Sequence, residues 1–100
     1  MAAPLLTGRE RKALRALAHH LEPVVHVGSA GITDAVTRQV DGALRAHELV
    51  KVRLHQPVAK HDAAAALAAA AGAALCGVVG HVVILYRPDP ERPKIIVAKH

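Results

Sequence analysis

His26-Val27-Gly28-Ser29-Ala30-Gly31-Ile32-Thr33-Asp34 is the stretch on which the reading of this chain turns. A short apolar run, Pro23 to Val27, leads into it, and residues spaced for one face of a helix, Ile32 to His47, lead out. Two glycines three apart stand between them. The pattern is a strand, a four-residue G-x-x-G turn and a helix N-terminus. Glycine tolerates positive φ and lets another backbone come close. A helix start adds N–H groups without intrahelical partners and the positive end of the macrodipole. Such a junction suits an anion, most often a phosphate. A plain strand-to-helix corner would show the same four residues, so the surroundings must decide what the turn does.

Upstream, Thr7-Gly8-Arg9-Glu10 is a capping box that starts a first helix running to about His20. Leu14, Leu17, Ala18 and Leu21 form its apolar stripe, and Arg11, Lys12, Arg15 and His19 take other faces. Pro23 ends it and favours extended chain before it. Downstream, Thr33 caps a second helix whose buried stripe is Ile32, Val36, Val40 and Leu44. Leu49 to His55 then alternates: Val50, Val52 and Leu54 point one way, Lys51, Arg53 and His55 the other, as in a strand with one buried and one wet face. Gln56-Pro57 ends that strand. A third helix covers about Ala59 to Ala71, with Gly72 as its C′ residue. Because alanine offers little volume, its partner surface must come close. Two strands follow, Leu75–Val79 and Val82–Tyr86, joined by a hairpin turn at Gly80-His81.

The predicted order is α-β-α-β-α-β-β. Strand–helix–strand steps demand parallel crossovers, and the last hairpin is antiparallel. The expected fold is one α/β domain with a four-stranded mixed sheet packed against helices, spanning residues 1–87. Pro88, Pro90 and Pro93 end regular structure and open a Pro-rich tail, 88–100, in which Lys94 to His100 could add an edge strand through Ile95-Ile96-Val97 but is expected to stay loose.

One hundred residues suffice for a self-supporting core without disulfides. Cys76, the single cysteine, permits no internal bridge, and the N-terminus lacks the pattern of a signal peptide, so a cytoplasmic protein is expected. The eighteen uncharged residues Ala63–Gly80 approach membrane-span length, but they are mostly alanine and are divided by Gly72, which reads as a helix followed by a strand. The net charge of +5 is unevenly spread. Through Lys60 there are nine basic and five acidic residues; after it, four and three. The basic half therefore surrounds the G-x-x-G turn, and a polyanion is the natural partner.

The residue inventory narrows the chemistry. With no Phe, no Trp and only Tyr86, the chain cannot build an aromatic platform for stacked bases. Tyr86, in an apolar strand, reads as core. Backbone recognition remains, and KH domains supply a precedent for a G-x-x-G loop that clamps nucleotides. The eight histidines show no metal-ligand spacing. Ser29 lies in no G-x-S-x-G elbow, and Cys76 reads as a small buried hydrophobe. No catalytic residue, metal or cofactor is expected, and neither is a membrane or a small-molecule substrate. The candidate RNA-binding residues are Arg11, Lys12 and Arg15 on the first helix, Gly28, Ser29, Ala30 and Gly31 in the turn, and Lys51 and Arg53 on the wet strand face. A second reading is a protein–protein adaptor that docks through the Ala-rich helix or the tail.

Leu6-Thr7-Gly8, Pro23-Val24-Val25-His26-Val27-Gly28 with Gly31-Ile32-Thr33, Ala46-His47-Glu48-Leu49-Val50-Lys51-Val52 and the ending Val82-Val83-Ile84-Leu85-Tyr86-Arg87 together resemble the CRM domain, in particular its free-standing bacterial YhbY-type members. The resemblance covers roughly Leu5 to Arg87. It implies an RNA-binding domain folded like the C-terminal domain of translation initiation factor three, and association with precursors of the large ribosomal subunit. It places the family's loop glycines at Gly28 and Gly31 and its basic helix at Arg11, Lys12 and Arg15. The family commonly carries Lys or Arg between the loop glycines. Ser29 and Ala30 stand there in this chain, so the loop lacks its own cation.

Overall fold

The computed structural model describes residues 3–55 and 59–95. Its elements are α1 (Gly8–Ala18), β1 (Pro23–Val27), α2 (Asp34–His47), β2 (Leu49–Leu54), α3 (Lys60–Ala71), β3 (Ala74–Val79) and β4 (Val82–Tyr86). This is the expected order. The strands form one mixed sheet in the order β1-β2-β4-β3. β1 and β2 are parallel, while β4 runs antiparallel to both β2 and β3. The second crossover, through α3, therefore carries the chain past β4 to the far edge. The Gln56-Pro57 strand end lies outside the described residues.

The sheet is clothed on both faces, but unequally. On one face α2 and α3 lay Val40, Leu44, Ala64, Leu67, Ala68 and Ala71 over Val25, Val27, Val50, Val52, Leu54, Val83 and Leu85. Leu67 is the only large side chain α3 contributes to this layer, so the helix comes close on alanines, as its composition requires. With Leu67 fully buried, the exposed side of α3 offers Ala65, Ala66, Ala69 and Ala70. That is little apolar relief for a docking partner. On the opposite face the single helix α1 sets Leu14 and Ala18 on Leu49, Cys76, Ile84 and Tyr86. β4 lies beneath both layers, which explains its unbroken apolar run. Tyr86 is core, as expected.

α1 starts with the full capping box between Thr7 and Glu10. Its apolar stripe is narrower than the spacing predicts. Leu14 and Ala18 are completely buried, whereas Leu17 is 51% and Leu21 39% exposed. The helix ends at Ala18 and meets the sheet along one line, so residues to the side of that line do not reach it. Leu17 and Leu21 instead border a shallow apolar groove with Val24, Leu49 and Ile95.

The tail departs from expectation. Glu48, between α2 and β2, has φ 64° and is wholly buried. Its carboxylate accepts from the amides of Asp89, Lys94 (2.7 Å) and Ile95 (2.9 Å), and its carbonyl accepts from Arg87 N–H at 2.8 Å. Arg87 in turn donates to Ala71 O (2.6 Å) and pairs with the Asp41 carboxylate at 2.9 Å. Residues 88–95 are therefore pinned to the domain, and Ile95 packs beside the α1 core. Ile96 to His100, the rest of the stretch expected to be loose, lies outside the described residues.

Three amides converging on a buried carboxylate form charge-assisted bonds that a neutral amide cannot match. Glu48→Gln is expected to lower stability by about 2 kcal/mol, read as a shifted urea midpoint. An unchanged midpoint would mean that the carboxylate does not anchor the tail.

Candidate nucleic-acid interface

The G-x-x-G turn is held at both ends. His55 N–H donates to Val27 O at 2.9 Å, tying the end of β1 to the chain leaving β2. Gly31 N–H donates to Gly28 O at 3.0 Å and closes the four-residue turn. Ile32 packs on the core, and the Thr33 hydroxyl accepts from Val36 N–H at 3.2 Å to start α2. Ser29 and Ala30 are exposed at the tip. Among the described residues their amides have no acceptor.

The two glycines differ in kind. Gly31 has φ +77°, a conformation that side-chain-bearing residues resist. Gly28 lies outside that region, and a Cβ built there would meet no atom within 4 Å. Among the described residues, no atom stands in the way of a Cβ at position 28.

Because α1 covers only part of its face, the rest of β1 and β2 stays open beside the turn. Along β2 this face carries Leu49 under α1, then Lys51, Arg53 and, just past the strand, His55. Lys51 Nζ donates to Leu21 O at 3.1 Å. Arg53 is exposed and stands beside His26 in the parallel register. Two residues after His26, Gly28 opens the turn. The predicted wet strand face and the predicted turn thus adjoin, and together they form a basic strip that ends in free amides.

The first-helix cations are placed differently from one another. Arg11 Nη1 donates to Leu6 O at 2.7 Å, and Arg15 Nη1 donates to Cys76 O at 2.8 Å. Arg15 lies across β3. A bulge between Leu75 and Gly77 turns Cys76 and Gly77 both towards α1, and a Cβ on Gly77 would sit 2.6 Å from Arg15 Cδ. Lys12 is exposed and has no partner among the described residues. Arg11 and Arg15 therefore spend one donor each on the fold and keep others for a ligand, since a guanidinium carries five N–H groups. On α1 the three charges lie to one side of the buried Leu14, and Leu17 points to the groove on the other side.

Cys76 is buried, and burial pushes its thiol up to about 11 against the opposing pull of Arg15 and Arg11. At neutral pH it is a protonated thiol packed in the core. No group of three or more metal-ligating side chains occurs among the described residues.

The Arg15–Gly77 packing yields one prediction. Gly77→Ala should displace the Arg15 stem and cost about 1–3 kcal/mol, the usual range for overpacking, measured by thermal melting. Arg15→Ala made in that background should cost less than in the parent, because the contact it removes is already lost. Fully additive losses would contradict the contact. A second concerns the thiol. A group titrating near 11 is about one part in a thousand thiolate at pH 8. Iodoacetamide should therefore label Cys76 only on unfolding, and rapid labelling of the native protein would contradict this placement.

Comparison with known proteins agrees with this architecture. The solution structure of SAV1595 from Staphylococcus aureus superposes with a TM-score of 0.84 at 32% identity, covering 94% of this chain and all of that one. Probable RNA-binding protein YqeI of Bacillus subtilis is 37% identical over 93 residues, 91% of this chain and 97% of its own. Probable RNA-binding protein MJ0652 of Methanocaldococcus jannaschii is 41% identical over 98 residues, 94% of this chain and 72% of its own. The model of the CRS1 / YhbY (CRM) domain matches residues 6–87, from the leucine that precedes the capping box to the arginine that follows β4. The chain belongs to the CRS1/YhbY (CRM) domain family.

Proposed function

We propose that this protein binds RNA through its sugar–phosphate backbone, with the Gly28–Gly31 turn as the clamp and the basic strip of β2 and α1 as the path that leads to it. The observation that carries the reading is Gly28. Among the described residues nothing crowds a side chain there, and close approach by a partner gives the glycine a reason. The amides of Ser29 and Ala30, which have no acceptor among the described residues, offer that partner hydrogen bonds. The relatives YqeI and MJ0652 bear names that state RNA binding, which supports RNA as the polyanion. The absence of an aromatic platform turns recognition to the backbone and to shape. With no cation of its own, the turn takes its charge from neighbours: Arg53 beside it, and Lys51, Lys12, Arg11 and Arg15 farther along.

The finer part of the proposal is the setting. The resemblance to YhbY-type proteins supports ribosomal RNA in precursors of the large subunit as the target, and a non-enzymatic, cytoplasmic role in subunit assembly. No helix among the described residues is long and apolar enough to cross a membrane. Sucrose-gradient fractionation of cell extract should place the protein with particles sedimenting at or below the large subunit. Its recovery only among free soluble proteins would remove the assembly role.

At the level of contacts, log affinity for single-stranded RNA should fall with log salt by about 0.7 per phosphate neutralised. Lys12→Ala should shallow that slope by about 0.7 without altering the melting temperature, since Lys12 is exposed and has no hydrogen-bond or ion-pair partner among the described residues. Gly31→Asp, which sets a negative charge in the turn, should weaken binding at least tenfold while the circular dichroism spectrum stays native. A folded Gly31→Asp protein that binds as well as the parent would reduce the turn to a structural corner.

A further inference from the structure

His26 and His55 are distinguished from the other histidines by how the fold joins them. His26 lies on the open face of β1, and His55 follows the last residue of β2. Parallel pairing sets Val27 opposite Leu54 and so brings the two rings alongside. Their centroids are 5.0 Å apart with planes at 25°, and His26 Nδ1 lies 2.7 Å from His55 Nε2. Both residues are exposed.

A hydrogen bond between two imidazole nitrogens holds one proton between them. His26 Nε2 and His55 Nδ1 are left for outside partners. In the uncharged pair one of these outer nitrogens bears hydrogen and the other is bare. A single added proton turns the bare one into a second donor and leaves the inner bond intact. The pair then carries one positive charge and two outward N–H groups. A second added proton would have to break the inner bond, so the geometry is built for one charge. A phosphodiester oxygen, anionic and acceptor-only, matches that charged form. Arg53, level with His26 in the sheet, adds a guanidinium on the same face, and Lys51 stands two residues behind it. Gly28 follows His26 by two residues.

We propose that the His26–His55 pair and Arg53 form a second phosphate subsite, which holds the nucleotide phosphate next to the one at the Gly28–Gly31 turn. In its protonated form the pair adds the charge that Ser29 and Ala30 do not. This inference rests on the RNA-binding reading above, and its test separates the two.

The test is fluorescence anisotropy of a short labelled single-stranded RNA, titrated over a range of salt. The proteins compared are the parent, the double variant His26→Ala/His55→Ala, Gly31→Asp, and Arg92→Ala as a charge control in the segment anchored at Glu48. Melting curves establish that each is folded; if the double variant melts early, His55→Ala alone, beyond the end of β2, makes the same comparison. The expected result is a loss of about five- to tenfold for the histidine variant, with a salt slope shallower by up to about 0.7, and no loss of affinity for Arg92→Ala. If the histidine variant keeps parental affinity and slope while Gly31→Asp binds weakly, the subsite is overturned and the RNA reading stands. A loss of affinity with an unchanged slope would assign the rings to a base or ribose contact and likewise overturn the phosphate assignment. A parent that binds no RNA overturns both.

Discussion

The structure depends on an unequal burial of the two sheet faces. α2 and α3 cover most of one face, with Leu44, Leu67 and the alanines of α3 against Val52, Val83 and Leu85. The other face receives one eleven-residue helix, and α1 buries Leu49, Cys76, Ile84 and Tyr86 there. Burial of apolar surface is worth about 25 cal/mol per Å², so the covered patch is where apolar residues collect. The uncovered strip of β1 and β2 holds the residues that can bear water: Lys51, Arg53, His26 and His55. A longer first helix would have hidden this strip and required it to be apolar. The candidate interface is thus a consequence of where the core stops.

That boundary also fixes the turn. Because β1 and β2 are parallel, their C-terminal ends lie together, and the bond from His55 N–H to Val27 O sets the Gly28–Gly31 turn at the foot of the basic strip. Gly31 closes the turn in a left-handed conformation, and Thr33 starts α2 immediately after the core residue Ile32. A site built on strand and helix ends is held more precisely than one on a free loop. At the opposite end of the sheet Glu48 does comparable work inside the protein, gathering three tail amides onto one carboxylate.

Much of this was legible in the sequence, for identifiable reasons. The capping box at Thr7, the alternation from Leu49 to His55 and the glycines at 72 and 80 are local signals whose physics acts within a few residues, and the corresponding elements formed where expected. The turn residues and the basic strand face were legible for the same reason. What escaped the reading is what the tertiary fold creates. Glu48 looks like an ordinary surface acid between helix and strand, and its burial depends on backbone amides more than forty positions away. Arg15 reads as a free cation because its acceptor, Cys76 O, lies 61 residues on. His26 and His55 are 29 apart and meet only through parallel register. Leu17 has the spacing of a core residue, but the helix touches the sheet along a line too narrow to include it.

The central claim is that a partner's backbone, and no part of the protein itself, requires the glycine at position 28. Gly28→Val tests it most directly, because a Cβ at this position meets no described atom within 4 Å and every charge stays in place. The account predicts an unchanged melting temperature together with an RNA affinity at fixed salt that falls by an order of magnitude or more. Parental affinity in the folded variant would contradict it, since a turn that accepts valine at its first position is not in close contact with RNA.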